Sequence, residues 1–183
     1  MDAVDEDSFR VRVKTECELA PNEIEFSCGE LTLSEITDGD TADYAAICRD
    51  EALNRFWGYD YKEDMPNAPD EYFLITARES RALGTALCLA VRENGTLVGE
   101  VQFFAFDGRG ECELAVRISR SNQSRGLGSR ALGAAVELSK DLGLRTVACD
   151  VMNENLHSFA MVEKFFTEVE SLHPDRKHFK KKL

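Results

Sequence analysis

Residues 86 to 118 narrow the possible folds more than any other part of the chain. LCLAVRENGTLVGEVQFFAF holds two β-rich runs joined at Asn94-Gly95, a pair that tolerates positive φ and is the strongest short hairpin signal. A third run, CELAVRIS, follows the turn at Asp107 to Gly110, so three neighbouring strands form an antiparallel meander. After it come a polar loop SRSNQSR, a helix GSRALGAAVELSKDLG ending at Gly143, a strand RTVACDV, a helix HSFAMVEKFF and an extended tail. Before it, FRVRVKT, EIEFS and ELTLSEIT alternate apolar and polar residues as half-buried strands do. TDGDT supplies capping residues for a helix expected from about Thr41 to Asn54, and Phe73, Leu74, Ala77 and Leu83 suit a second helix in EYFLITARESRAL. The order of strands, helices, meander and β-α-β-α describes an α/β protein.

Composition then sets the class. With 183 residues, 43% of them hydrophobic, the chain holds enough apolar material for one core, and one domain is expected. Its longest uncharged stretch in the most apolar region, Ala82 to Val91, is half of the roughly 20 residues that span a bilayer. The acidic opening MDAVDED lacks the basic, then apolar, start of a secretory signal. A net charge of −12 is unevenly spread: residues 1–80 hold 21 acidic and 7 basic side chains (−14), and residues 81–183 hold 13 and 15 (+2). The first part repels nucleic acid and anionic membrane, because phosphate binding needs clustered Lys and Arg. It serves either solubility or the attraction of cationic substrates. Cys17, Cys28, Cys48, Cys88, Cys112 and Cys149 come no closer than eleven residues, so no C-x-x-C pair exists and a reduced, cytoplasmic protein is expected. His173 and His178 in HPDRKH read as a polar hairpin loop, not a metal site.

The most specific chemical signal is Gln123-Ser-Arg-Gly126-Leu-Gly128, between a strand and a helix. Two glycines let backbone N–H groups turn inward, and the helix start adds free amides and a positive dipole end. Ser124 to Gly128 thus make an anion cradle for a pyrophosphate, with Arg125 and Arg130 as further contacts or as solvated surface residues. A dinucleotide fingerprint also fits, since Gly126-Leu-Gly128-Ser-Arg-Ala131 matches G-x-G-x-x-A and Asp150 lies 24 residues past the first glycine. Against it, seven residues separate Ile118 from Gly126, and an antiparallel meander precedes the loop.

These residues resemble the GNAT superfamily of acyl-CoA-dependent N-acetyltransferases, whose signature (R/Q)-x-x-G-x-(G/A) is matched by Gln123, Gly126 and Gly128. The likeness runs from about Leu31 to Phe166 and is greatest to the branch of ribosomal-protein N-terminal and polyamine acetyltransferases. That branch's A-E-(I/L)-G-x-x-(I/L) strand is matched by Glu113 to Ile118 with Ala115 in the glycine's place, and its N-x-x-S by Asn155 and Ser158. Phe56-Trp57-Gly58-Tyr59 is similar to its aromatic segment, and Glu163, Lys164 and Phe166 to its E-K-x-G-F, whose glycine is missing here. Val162 stands where many members carry the tyrosine that protonates the leaving thiolate. The resemblance implies a GNAT-like mixed, mainly antiparallel sheet with flanking helices over residues 30–183, and residues 1–29 as an N-terminal β extension along one edge. It implies a V-shaped opening between the fourth and fifth strands, those holding Glu113 to Ile118 and Thr146 to Val151. Acetyl-CoA would lie there, its pantetheine on amides near Val116 and Ile118 and its phosphates on Gln123, Ser124, Arg125, Gly126, Leu127, Gly128 and Ser129, with Asn155 fixing the region. The expected partners are a small-molecule amine or a protein N-terminus, and a second copy in a homodimer. A CoA-binding domain without turnover is the alternative.

Amine acetylation needs a base for the ammonium, donors for the developing oxyanion and a proton for the thiolate. Strand alternation puts Leu114, Val116 and Ile118 on one face and Glu113, Ala115 and Arg117 on the other, so Glu113 leaves the apolar row. Glu113 is the first candidate base or else a partner of Arg117; Glu100 is the second, and Asp150, at a strand end beside the acyl site, the third. Ser158 is the nearest hydroxyl to the leaving sulfur or a helix-start residue. Trp57 and Tyr59, near Glu63, Asp64 and Asp70, pack in the core or face a cationic acceptor. Lys177 to Lys182 read as a solvated edge strand guarded by lysines.

Overall fold

The computed structural model describes residues 24–57 and 66–183. The expected strand FRVRVKT, Cys17, Gly58, Tyr59, Glu63 and Asp64 fall outside these residues. Eight strands form one sheet: β1 (Glu25–Cys28), β2 (Leu31–Glu35), β3 (Ala86–Glu93), β4 (Thr96–Phe104), β5 (Glu111–Ile118), β6 (Thr146–Met152), β7 (Thr167–Val169) and β8 (Arg176–Lys182). Their spatial order is β1-β2-β3-β4-β5-β6-β8-β7. The helices are α1 (Thr41–Arg49), α2 (Glu51–Asn54), α3 (Asp70–Ala82), α4 (Leu127–Asp141) and α5 (Leu156–Val162). None of the described helices is long and apolar enough to cross a membrane.

The meander forms where the alternation places it, with Asn94 (φ 51°) and Gly95 (φ 81°) closing the β3-β4 hairpin. Its regularity breaks at one point. Val91 pairs with Gly99 and Arg92 with Leu97, leaving Val98 as an extra residue in β4. The Val98 carbonyl instead accepts from Ser119 N–H at 2.8 Å, just past the end of β5. Gly99 lies against Ile118, and a Cβ there would run into the Arg117 carbonyl and come within 2.7 Å of Ile118 Cδ1. The bulge bends β4 and carries β5 with it, so β5 meets β6 in three parallel pairs, Glu111–Thr146, Cys112–Val147 and Glu113–Ala148, and then diverges. This is the expected opening; it falls between the fifth and sixth strands because β1 adds one at the edge. A strand antiparallel to β4 and barely paired to β6 is not the parallel doubly wound sheet that a dinucleotide site requires.

One face of the sheet packs Leu114, Ile118, Val147, Cys149 and Phe179 against α4 residues such as Leu132 and Val136. On the other, α1 and α3 cover β3 and β4 through Tyr44, Ile47, Phe73 and Leu74. The single helix expected over residues 41–54 is two. Asp50 takes an extended conformation, and its carboxylate accepts from Ala52 and Leu53 N–H, so it ends α1 and caps α2. The last helix exits without its glycine: Phe165 and Phe166 N–H both turn back to the Val162 carbonyl, and Phe166 enters the core. The lysine-rich strand β8 is not an edge, since β6 and β7 pair with its two sides. His173 lies in the loop before β8, but His178 lies within the strand.

The start of α1 is tied to the sheet by Asp40, whose carboxylate accepts from Arg92 Nη1 (2.8 Å) and Nη2 (2.6 Å), and from Thr37 N–H and hydroxyl (both 2.7 Å). Burial pushes this carboxyl up, but the Arg92 and Thr37 bonds outweigh it and hold the pKa at about 2. A depressed pKa stabilises the fold above the unfolded value of 3.8, and the benefit is lost as the pH falls through about 2. Asp40→Asn is therefore expected to cost about 2 kcal/mol in urea melts at pH 7, with the difference shrinking below about pH 4. Gly99→Ala is expected to cost about 1 to 3 kcal/mol in the same melts, because its contact is backbone and cannot yield.

Candidate active site

Where β5 and β6 separate, a cleft of about 480 Å³ runs from Trp57 past Val116 and Asp150 to Gly126 and Ser158. The backbone lining it is unusual for a sheet interior. Ser119 N–H, just past β5, turns to the β4 Val98 carbonyl. N–H groups alternate sides along a strand, so those of Val116 and Ile118 turn the other way, into the widening gap. Beyond Glu113 no β6 partner meets them.

At the cleft's far end the chain turns through a short 3-10 stretch, Arg120–Asn122, and reaches α4. Gln123 lines the cleft, and its Nε2 donates to the Ile118 carbonyl at 3.0 Å and fastens the loop to β5. Ser124 (φ 61°) and Gly126 (φ 75°) both take left-handed backbone, and no side chain caps α4. The first N–H groups of this 15-residue helix, from Leu127 to Ser129, are thus presented to the cleft with the helix dipole behind them. Leu127 contributes only its backbone, because its side chain is in the core. Gly128 lets α4 approach α5; a Cβ there would sit 3.1 Å from Met161 Sδ. Ser129 Oγ accepts from Lys164 Nζ at 3.0 Å. Arg125 and Arg130 are drawn together by Glu93, at 2.7 and 3.0 Å.

At the near end Glu100 and Arg117 are a buried ion pair, their side chains 2% and 3% exposed. Glu100 Oε2 accepts from Arg117 Nε (2.7 Å) and Nη2 (2.6 Å), and Oε1 from the Tyr44 hydroxyl (2.7 Å). Both carboxylate oxygens of Glu100 are thus engaged within the protein. Arg117 also donates to Asn54 Oδ1 and lies over the Trp57 ring at 4.3 Å. One face of Trp57 is therefore already taken by a cation of the protein itself. Burial opposes the charge on Arg117, but Glu100 outweighs it and raises the pKa.

Glu113 does not pair with Arg117. It stands where β5 and β6 are still joined, and burial first, then the charge of Asp150, raise its pKa. Asp150 lines the cleft itself, and its Oδ1 lies 2.6 Å from His178 Nδ1. Asn155 caps α5, its Oδ1 accepting from Ser158 N–H at 3.3 Å, while Ser158 also lines the cleft. Val162 is buried, so no phenol stands at that point of α5. Sequence reading missed Arg117 as the organiser of the near wall and His178 as the partner of Asp150. The only signals were an arginine inside an apolar strand and a histidine whose register with β6 no local pattern shows.

The acetyltransferase (GNAT) domain family matches residues 30–165. No curated protein matches the chain. Among solved structures, spermidine N-acetyltransferase from Vibrio cholerae, in complex with CoA and spermine, superposes at TM-score 0.73 and 17% identity, over 85% of this chain and 96% of that one. RimL, a ribosomal L7/L12 alpha-N-protein acetyltransferase, gives 0.71 and 14% over 88% and 95%. The microcin C7 self-immunity acetyltransferase, in complex with acetyl-CoA and AMP, gives 0.69 and 15% over 85% and 94%. At such identities the superpositions show a shared fold.

Because the pKa of Glu113 is raised, the fold favours its protonated form. That contribution is full below the ordinary carboxylate range and lost as the pH rises through the raised value. Glu113→Gln, which keeps the shape and removes the charge beside Asp150, is expected to raise the melting temperature at pH 7. The gain over the unchanged protein should vanish near pH 4.

Proposed function

The chain belongs to the GNAT acetyltransferase domain family, and from that premise we propose that it transfers the acetyl group of acetyl-CoA to a cationic primary amine, with Asp150 as base and Ser158 beside the leaving sulfur. The observation that carries this reading is the cleft itself: an amide cradle at one end, an unpaired strand edge along its length and a carboxylate near its acceptor end.

The residues suit acetyl-CoA. Backbone N–H groups from Ser124 to Ser129 hold the pyrophosphate, with Arg125 beside them, and the edge amides of Val116 and Ile118 pair with the pantetheine. Bound there, acetyl-CoA supplies an activated thioester. Asp150 takes a proton from the incoming ammonium, leaving a neutral amine in the opening. Backbone N–H groups of β5 would be donors for the thioester oxygen. The Ser158 hydroxyl, which lines the cleft, would serve the sulfur, the role left open by Val162. Glu113 stands behind Asp150 and keeps the acceptor end acidic. Asn155 holds α5, and so Ser158, at its angle to the cleft.

A cationic acceptor is supported by Asp150 in the cleft, with Glu113 near it, and by the −14 balance of residues 1–80. Polyamines, aminoglycosides, protein N-termini and lysine side chains share that chemistry. Trp57, with Arg117 over its ring, serves as a wall of the acceptor end rather than an open cation platform. Cytoplasmic residence belongs to the same reading and is supported by five free cysteines among the described residues, with burial pushing Cys48 and Cys112 up to about 12. Self-association as a homodimer is checked by sedimentation.

Calorimetry is expected to show CoA binding, and thiol release from acetyl-CoA to appear with cationic amines and weaken with salt, since surface charges are screened over about 8 Å at physiological ionic strength. Asp150→Asn should lower kcat about a hundredfold or more with CoA affinity kept, and Glu113→Gln less than about tenfold. CoA binding without thiol release from any amine would mark a cofactor-binding domain that does not turn over. A best acceptor that is neutral, or indifferent to salt, would remove the electrostatic part of the reading.

A further inference from the structure

We propose that His178 is a positioning residue for acetyl transfer: through Nδ1 it fixes the Asp150 carboxylate so that the second carboxylate oxygen faces the acceptor amine. The inference rests on the acetyl-transfer reading above and adds to it a residue on a strand that contributes nothing else to the cleft.

Asp150 and His178 are directly opposed across the antiparallel β6–β8 ladder. Neighbours so placed hold their side chains side by side on one face of a sheet. Val147, Cys149, Val151 and Phe179 point to the α4 side. Asp150 and His178 therefore point to the opposite face, where α1 and α3 pack on β3 and β4 instead. His178 Nδ1 and Asp150 Oδ1 stand 2.6 Å apart, a length at which one proton lies between them. The His178 and Asp150 side chains are 21% and 26% exposed.

The two oxygens of Asp150 are not equivalent. Oδ1 is held by the imidazole. Oδ2 faces Arg176 Nη1 at 3.9 Å, beyond hydrogen-bond length, while that guanidinium is bonded through Nη2 to Asp175 at 3.1 Å. Oδ2 is thus the oxygen left to receive a proton. The other charged groups on this face are Glu111, Glu113 and Arg117 from β5 and Lys180 and Lys182 from β8; Glu111 pairs with Lys180, and Arg117 with Glu100. β7 adds Thr167 and Val169, which are uncharged. Among the described residues of this face, His178 is the group bonded to Asp150 in a geometry that fixes the carboxylate plane.

In the transfer, one ammonium proton goes to Asp150 Oδ2 and from there to water. The nitrogen lone pair forms the bond to the acetyl carbon, the carbon–sulfur pair leaves with sulfur, and the second nitrogen proton offsets the proton that sulfur takes. His178 keeps Nδ1–H on Oδ1 throughout. A carboxylate free to rotate spends most of its time misdirected, and misplacement of about 1 Å can cost a hundredfold in rate.

The test uses steady-state kinetics on the whole chain with acetyl-CoA and its best cationic amine, alongside melting temperatures. His178→Asn places an amide nitrogen where Nδ1 was and keeps the donor; His178→Gln places it where Nε2 was and loses it. His178→Ala and His178→Gln are expected to lower kcat about tenfold or more, with both KM values within about twofold and the melting temperature unchanged. His178→Asn is expected to recover to within about threefold of the unchanged protein. In an Asp150→Asn background, His178→Ala should cause no further loss. Full kcat in His178→Ala, equal loss in Asn and Gln, or additivity with Asp150→Asn would each overturn the inference and leave acetyl transfer standing. An unchanged chain that binds CoA yet acetylates no amine overturns both.

Discussion

Three paired residues decide most of this molecule. β5 touches β6 only from Glu111 to Glu113, and the rest of its length is unpaired on that side. Unpaired amides inside a sheet are costly unless something satisfies them, so this edge calls for partners from outside the sheet. The separation has a local cause in the extra residue Val98, whose carbonyl is spent on Ser119 rather than on the regular ladder. Gly99 follows from that geometry, since the Arg117 backbone crosses too near for any side chain. The start of α4, the unpaired edge of β5 and the Asp150 carboxylate all lie along the resulting gap.

The buried Glu100–Arg117 pair answers a second problem, how to hold a rigid wall beside an opening. Two charges withdrawn from water cost several kcal/mol each, and their attraction offsets this only when every donor and acceptor is used. Here they are nearly all used: Tyr44, Asn54, Cys48 and the Trp57 ring complete the network. Asp50 breaks the helix at the right place to send Asn54 and Trp57 toward Arg117. The near wall of the cleft is thus anchored to β5, the same strand whose outer amides are unpaired.

Reading the chain alone located the meander, the hairpin at Asn94-Gly95, the glycine loop and the helix that follows it, because each rests on contacts within a few residues. The placement of Leu114, Val116 and Ile118 against Glu113 and Arg117 on opposite faces also held, as strand alternation requires. The sequence pattern runs one helix through residues 41–54 because Asp50 is no breaker by composition; its carboxylate caps only because the backbone there is extended. The lysine strand was read as an edge because charge is what an edge shows, whereas β7 supplies the true edge from only three residues.

The sequence by itself determined the alternation, turns and loop chemistry, and with them the family and the anion cradle, since these depend on side-chain type and backbone freedom at neighbouring positions. The tertiary structure alone decided which carboxylates are available. Glu100, Glu113 and Asp150 look alike in the sequence, each an acid inside an apolar run. Only the packing of strands distant in the chain gives Glu100 to Arg117 and Tyr44, leaves Glu113 in the paired part of the sheet, and sets Asp150 in the opening beside His178. An acid's role is fixed by the charges and solvent around it, and those come from elements that local sequence does not connect.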